Sequence, residues 1–362
     1  MDFRSRPVLT ATSAALLAFV AACGDDPARP PGEVWRDAAL PNLGAAGLIN
    51  IAARGSRVVA IGAAGSETEP EAVALETTGG AWQVLPLPAT PVDALFLGLA
   101  LDPSGSAVLV GARPAGEPLV LDERVGWQTA TLPVAGFLNA VAAGQGSTWV
   151  AVGTASGGFA AWSSVPGVWV TDHAGFTTPQ EKGLVDVSHA DGVFVACGWD
   201  DADLGPALRR DDGTGWKNLL GPGSVTIPEA HAEYRSVLLE SGGALWLGGT
   251  IVEAMGSDEV YTALLARRPP SGDWFEIVLP DAASAEAVND ILRAADGSVY
   301  LACGETAARV LRFDGARWHD EGPGTPGQIL ALAEDASGRI YAAGVSAHAT
   351  AQPQPLLRVR RP

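Results

Sequence analysis

Apolar residues along this chain come in bursts of three to five, and no segment holds a 3.6-residue apolar period long enough for a helix. The bursts follow one grammar. A short apolar strand comes first, at 49–53, 97–101, 138–142, 184–188, 235–239, 290–293 and 329–333. A tight turn follows, as in Pro103-Ser104-Gly105, Asp191-Gly192, Asp296-Gly297 and Ser337-Gly338, where glycine supplies positive φ and the polar side chains cap the turn. A second strand, rich in β-branched and aromatic residues, is expected to end on Gly62, Gly111, Gly153, Gly198, Gly248, Gly304 or Gly344. A third strand appears after a variable loop, as at 118–121, 263–266 and 310–313. A glycine-bearing turn and a tryptophan then open a fourth.

That tryptophan recurs as Trp35, Trp82, Trp127, Trp169, Trp216, Trp274 and Trp318, at spacings of 42 to 47 residues with one of 58. A period of this size marks a propeller or solenoid, whose units cannot each bury an apolar face alone. Four antiparallel strands per unit predict an all-β, seven-bladed β-propeller over residues 33–362. A pair of β-sandwiches would not explain the even spacing. The content of 44 glycines and 26 prolines also argues against long helices. The chain stops just after a third-strand segment, 356–359, and the missing fourth strand stands at the other end, around Trp35. The N-terminal strand is therefore expected to complete the last blade and remove an open edge. The repeated tryptophans read as core between blades, and their equivalence predicts similar stability losses on truncating Trp35 and Trp318.

The first 22 residues read as a leader rather than as part of the fold. Arg4 and Arg6 precede an apolar run over 8–20, shorter than the ~20 residues that span a membrane. Val20-Ala21-Ala22-Cys23 resembles the lipobox of bacterial lipoproteins, whose cysteine takes a diacylglyceryl group. Residues 24–32, GDDPARPPG, read as a polar tether. Acyl chains on Cys23 would hold the domain at a membrane. Gly24 stands where enteric lipoproteins carry an inner-membrane retention Asp, which favours the outer membrane.

The formal charge of −18 becomes −19 once the leader's Asp2, Arg4 and Arg6 are gone. A chain this acidic repels phosphate backbones, so nucleic acid is not expected as a partner. Cys197 and Cys303 occupy matching Ala-Cys-Gly contexts in blades that do not touch, and read as buried thiols. The five histidines form no metal-ligand spacing, and neither a Gly-x-Ser-x-Gly elbow nor a phosphate-cradling loop is present.

The stretch 295–302 (ADGSVYLA), followed by 310–318 (VLRFDGARW), resembles bacterial extracytoplasmic propeller repeats, including the sensor propellers of two-component regulators. Residues 211–216 (DDGTGW) are similar to an Asp-box, although Arg209 replaces the usual Ser or Thr, and Arg124 and Ala316 break the spacing in two other units. In sialidases this box is a turn and not a catalytic motif, so the resemblance implies fold and no activity.

The face built by the loops between second and third strands, with the starts of the inner strands, is the expected binding surface. Its loops carry Asp200, Asp201, Asp203 and Glu305, with Trp199 beside them off the tryptophan register, and Asp186 and Asp290 hold matching positions near inner-strand starts. Convergent carboxylates attract cations or basic partners. Asp201 and Asp203, alternating before Gly205, suit Ca²⁺, although the fuller Asp-x-Asp-x-Asp-Gly pattern is not met. The leading expectation is a monomeric, non-enzymatic module that binds a protein, peptide or glycan outside the cytoplasm. Its competitors are a glycan hydrolase or lyase using Asp186 and Asp290, and an envelope scaffold. Cys23→Ser is expected to abolish acylation and release the chain from membranes. Fractionation of the variant, with globomycin sensitivity of processing, checks this, and unchanged membrane association refutes the lipobox.

Overall fold

Tight turns and β-branched runs give strands throughout. In a computed structural model the described residues form strands and one 3-10 turn, Glu123–Val125, with no α-helix among them. The description covers residues 35–360 except 45, 67–68, 89–93, 114, 133–135, 147, 157–158, 173–180, 201–204, 212, 214, 220–230, 256–257, 280–285, 323–324 and 347–352. The leader, Cys23, the tether, Asp201 and Asp203 lie outside the described residues. Of Trp199 and Asp200 the backbone alone is described.

The turns form as their side chains dictate. Asp191 and Gly192 take φ of 51° and 79°, a two-residue hairpin that only such residues adopt cheaply. Asp102 caps the next type of turn, accepting from the backbone N–H of Ser104 and Ser106 at 2.8 and 2.9 Å. In the Asp-box, Asp211 accepts from Gly213 and Gly215 at 2.6 and 3.1 Å, so this Asp serves the turn.

The strands run up and down in antiparallel groups of four, at 46–84, 95–131, 137–172, 181–218, 231–276 and 288–320. In the last group Thr325–Glu334, Ile340–Ser346 and Gln354–Arg360 are joined by Trp35–Asp37, with Trp35 opposite Arg360 and Asp37 opposite Arg358. Two links were not anticipated. Trp149–Ser156 runs past its glycine to pair with Glu181–Ala190, and Ala307–Phe313 pairs with Thr325–Glu334, fusing neighbouring groups into eight-stranded sheets.

Each group packs face to face on the groups before and after it. Alternate residues of one central strand serve two cores. Val59 and Ile61 pack with Phe96, Leu109 and Leu121, while Val58 and Ala60 pack with Ala331, Tyr341 and Leu357 of the last group. Ile340 and Ala342 turn the other way, onto Tyr300 and Val310. The repeated tryptophans fill these seams, with Trp82 edge-on to Tyr341 at 6.1 Å between ring centres and Trp35 beside Tyr300 and Val310. Polar groups cross the same seams. Glu321 is held by Arg312 at 2.6 Å and by Arg360 of the last group at 2.9 Å. The Ala336 N–H donates to the Gly55 carbonyl at 2.8 Å.

One device recurs at every inner strand. Its register slips by one residue, at Leu48/Asn50, Phe96/Gly98, Leu138/Ala140, Leu184/Asp186, Tyr234/Ser236, Val288/Asp290 and Ile329/Ala331. Opposite the slip the second strand usually carries glycine, because the first strand's backbone comes too close for a side chain. A Cβ at Gly111 would overlap the Leu95 carbonyl oxygen, and one at Gly344 that of Gln328. The expected strand-ending glycines therefore sit inside the strands and do not end them, except Gly304, which directly follows Val299–Cys303. In the 231–276 group Gly249, not Gly248, faces the slip, and the strand continues to Met255. In the 288–320 group Cys303 takes the place of the glycine. Cys197 and Cys303 are both buried free thiols.

Burial separates two tryptophans that the repeat makes equivalent. Trp35 is 3 % exposed, whereas Trp318 is half-buried and leans on Phe313, 5.1 Å between rings. Trp35→Ala is expected to cost about 3–5 kcal/mol, the range for a buried aromatic, and Trp318→Ala clearly less. Urea unfolding of both variants measures this; a near-zero loss at Trp35 would remove the N-terminal strand from the stability of the fold.

Candidate functional site

The register slips bring polar residues to one end of the inner strands, and they concentrate between 181 and 334. Asp186, Ser236 and Asp290 are the residues just after the slip in three successive groups. The Asp186 carboxylate accepts from the N–H of Val187 and of Val237 in the next group, both at 2.8 Å. Asp290 repeats the arrangement, accepting from Ile291 and from Leu332 of the next group, both at 2.7 Å. Ser236 stands between them, its hydroxyl 3.5 Å from Asp290. Each of the two carboxylates thus ties two neighbouring inner strands together through backbone donors.

Burial raises both acids, and their mutual repulsion raises Asp290 further, to about 7. The N–H donors and Ser236 oppose that rise without cancelling it. Beside them, burial pushes the Cys197 thiol well up, which leaves it a protonated, unreactive core group.

A second polar layer lies one residue toward the loops. Arg235 and Asn289 occupy the slipped positions themselves. Asn289 donates its amide hydrogens to the carbonyls of Gly304 and Ile329, both at 3.0 Å, which turns its oxygen toward Arg235 at 3.1 Å. Arg235 also pairs closely with Glu305, and lies 3.5 Å from Glu233. Gln328 donates to the Glu305 carboxylate and carbonyl at 3.0 Å, and Glu286 accepts from the backbone of Glu305 and Thr306 at 2.6 and 2.7 Å. Glu305 is thereby fixed between two strand groups. The equivalent slipped positions in the last, first and second groups are aliphatic. Leu330, Ile49 and Leu97 are half-buried and belong to none of the cores between groups. One end of the inner strands therefore has an aliphatic arc and a charged arc.

Of the residues expected at this site, Asp186, Asp290 and Glu305 are brought together here. Asp201 and Asp203 lie outside the described residues, as do the side chains of Trp199 and Asp200. Among the described residues no group of His, Cys, Asp and Glu is placed to hold a metal ion. The sequence reading missed Arg235, Ser236, Asn289 and Gln328. Superimposing the repeats on the slip, instead of on the tryptophan, would have found them.

No family model and no curated protein sequence matches this chain. Solved structures do. YCF48, determined with a D1 peptide bound, is 14 % identical, covers 93 % of this chain and 99 % of its own length, and superposes with a TM-score of 0.60. The fold is a β-propeller. The WD40 repeats of RRP9 are 12 % identical over 90 % of this chain and 96 % of theirs, with a TM-score of 0.58. The WD40 propeller domain of Doa1 is likewise 12 % identical over 90 % and 96 %, with a TM-score of 0.59. At such identities the likeness carries the propeller architecture and nothing of the site.

The raised acid gives this propeller a pH signature. Between about pH 4 and about pH 7 the folded chain keeps a proton on Asp290 that the unfolded chain has released. Stability contributed by this group is full below that window, falls as pH rises through it, and is constant above. Asp290→Asn is expected to flatten the slope of unfolding free energy against pH, read by urea titration across the window. An unchanged slope would show that Asp290 titrates as an ordinary exposed carboxylate.

Proposed function

We propose that this chain is a lipid-anchored, extracytoplasmic propeller of seven blades, completed by its own N-terminal strand, that binds a peptide or protein segment without catalysis. The blade count is supported by strands in groups of four and by the pairing of Trp35–Asp37 with Gln354–Arg360. It is supported equally by the packing of Leu48, Ile51 and Trp82 on Ala331, Tyr341 and Leu357. The anchor rests on the lipobox at Cys23, and Gly24 favours the outer membrane.

The binding reading rests on the two arcs at the mouth of the inner strands. Leu330, Ile49 and Leu97 offer half-buried aliphatic surface. The other arc holds Glu233 and Glu305 on either side of the Arg235 guanidinium, with the Glu286 carboxylate accepting from the Glu305 backbone. A peptide that sets an apolar side chain on the first arc and a basic one on the second matches both. The peptide carried by YCF48 gives a precedent for such a ligand on this fold. Acid–base work by Asp186 and Asp290 is the weaker reading, because both oxygens of each carboxylate already accept backbone N–H groups.

Panning a random peptide display library on the purified chain tests this. Selected peptides are expected to pair an apolar residue with Lys or Arg, and to bind less tightly as salt rises. Leu97→Gln and Glu305→Gln should each weaken that binding about tenfold, the effect of ~1.4 kcal/mol. A library that yields no binder, or binders indifferent to both substitutions, overturns the reading.

A further inference from the structure

The seam between the last group and the first holds an open cleft, where the seam before it is filled. Tyr300 and Tyr341 stand at the same place in consecutive groups, each three residues before the position that faces the register slip. Each packs with a repeated tryptophan of the group that follows, Tyr300 with Trp35 and Tyr341 with Trp82. Around Tyr300 three charged side chains fill the space. Arg312 is its cross-strand partner, Arg360 lies 5.6 Å over its ring, and Glu321 binds both arginines at 2.6 and 2.9 Å.

Around Tyr341 the same three positions are Val359, Thr77 and Ala38. Val359 is the cross-strand partner. Thr77 faces Val58 as Arg360 faces Ile340. The Ala38 N–H donates to the Leu357 carbonyl as that of Glu321 donates to Val310. Two arginines and a glutamate thus give way to three short side chains. All three line a cleft of about 270 Å³. That is just short of the ~300–1,000 Å³ of ordinary ligand pockets, and suits a small molecule.

The charge left at this cleft is cationic. Arg339 lines it, where the filled seam has Ser298. Its Nε donates to Asp335 at 2.8 Å and to Ser337 at 2.9 Å. Its two terminal nitrogens have no acceptor among the described residues, and one lies 3.3 Å from where a Cβ of Gly79, on the opposite wall, would stand. Arg36 is exposed on the lining, and the lining carboxylate, Asp37, is paired with Arg358 at 2.9 Å.

We infer that this cleft binds a small organic acid. Its carboxylate meets the terminal nitrogens of Arg339, and its flat or apolar body lies on Trp82, Tyr341 and Val359. The ligand then supplies the anion that Glu321 supplies in the neighbouring seam, and the bulk that Arg312 and Arg360 supply there. The cleft lies toward the hairpin-turn end of the strands, away from the slipped ends, so the inference does not rest on the peptide-binding reading.

Saturation-transfer NMR of the purified chain with benzoate, phenylacetate and neutral benzamide tests it. At least one of the two acids is expected to bind with a dissociation constant of about 1 mM, and benzamide at least about tenfold more weakly. Arg339→Met should weaken the acid about tenfold or more, whereas Arg113→Met, which removes an arginine from another group, should leave it unchanged. Ala38→Glu, which sets a competing carboxylate in the cleft, should weaken it as much. Ala38→Glu, Thr77→Arg and Val359→Arg together rebuild the filling of the neighbouring seam and should abolish binding. Circular dichroism confirms the fold of each variant. Binding of neither acid, acids held no better than benzamide, or binding that survives both Arg339→Met and Ala38→Glu would refute the site.

Discussion

Every sheet in this molecule is apolar on both faces, and among the described residues nothing but the neighbouring sheets covers them. The strand Ala107–Arg113 makes the point. Ala107 and Leu109 enter one core and Val108 and Val110 the next, all four fully buried. A sheet built this way gains its burial from two neighbours and would be unstable alone. The repeated tryptophans, the aromatic residues at Trp149, Tyr300 and Tyr341, and the arginines stacked on them all fill the widening space between faces. Arg124 lies 4.7 Å over Trp149, and Arg360 lies 5.6 Å over Tyr300.

Crowding at the inner strands then shapes the candidate site. The slipped register crowds two successive residues at the end of each inner strand, the second of which still enters a core at Ala140 and Ala331, and the glycine opposite lets the backbones come close. Where those two side chains are small or aliphatic, as at Gly98 and Leu97, the inner end stays apolar. Where they are Arg235 and Ser236, or Asn289 and Asp290, a polar network results. The same backbone device thus serves both a lining and a latch. Asp186 and Asp290 each cross to the next blade's N–H, and in doing so bind the blades that carry the network.

Much of this was legible because it repeats. Alternating apolar residues in the second strands and paired turn residues such as Asp191-Gly192 set strand positions directly. The tryptophan interval gave the grouping in fours. The slips leave a trace, the glycines, but from sequence all of these look like strand ends, as only Gly304 is, since a glycine's meaning depends on what approaches it across the sheet. Arg235 and Asn289 were not legible for the same reason. Nothing in a single repeat tells that the residue before Ser236 or Asp290 is the one pushed out of register. The fusion of Trp149–Ser156 with Glu181–Ala190 was equally hidden, because it joins segments that no shared pattern relates.

The strand Trp35–Asp37 has a consequence for the order of assembly. Its partner, Gln354–Arg360, lies more than 300 residues further along the chain, so the first is made long before the second. Until the second arrives, the first has no sheet to join, and the sheet of residues 325–360 has only three strands. Contacts this distant in sequence form slowly, since a long loop must close before they contribute. In the meantime Trp35, almost fully enclosed in the finished molecule, stays in water. A chaperone or holding factor acting on the nascent chain would therefore find its longest-lived target at the N-terminal edge of the fold rather than in the middle.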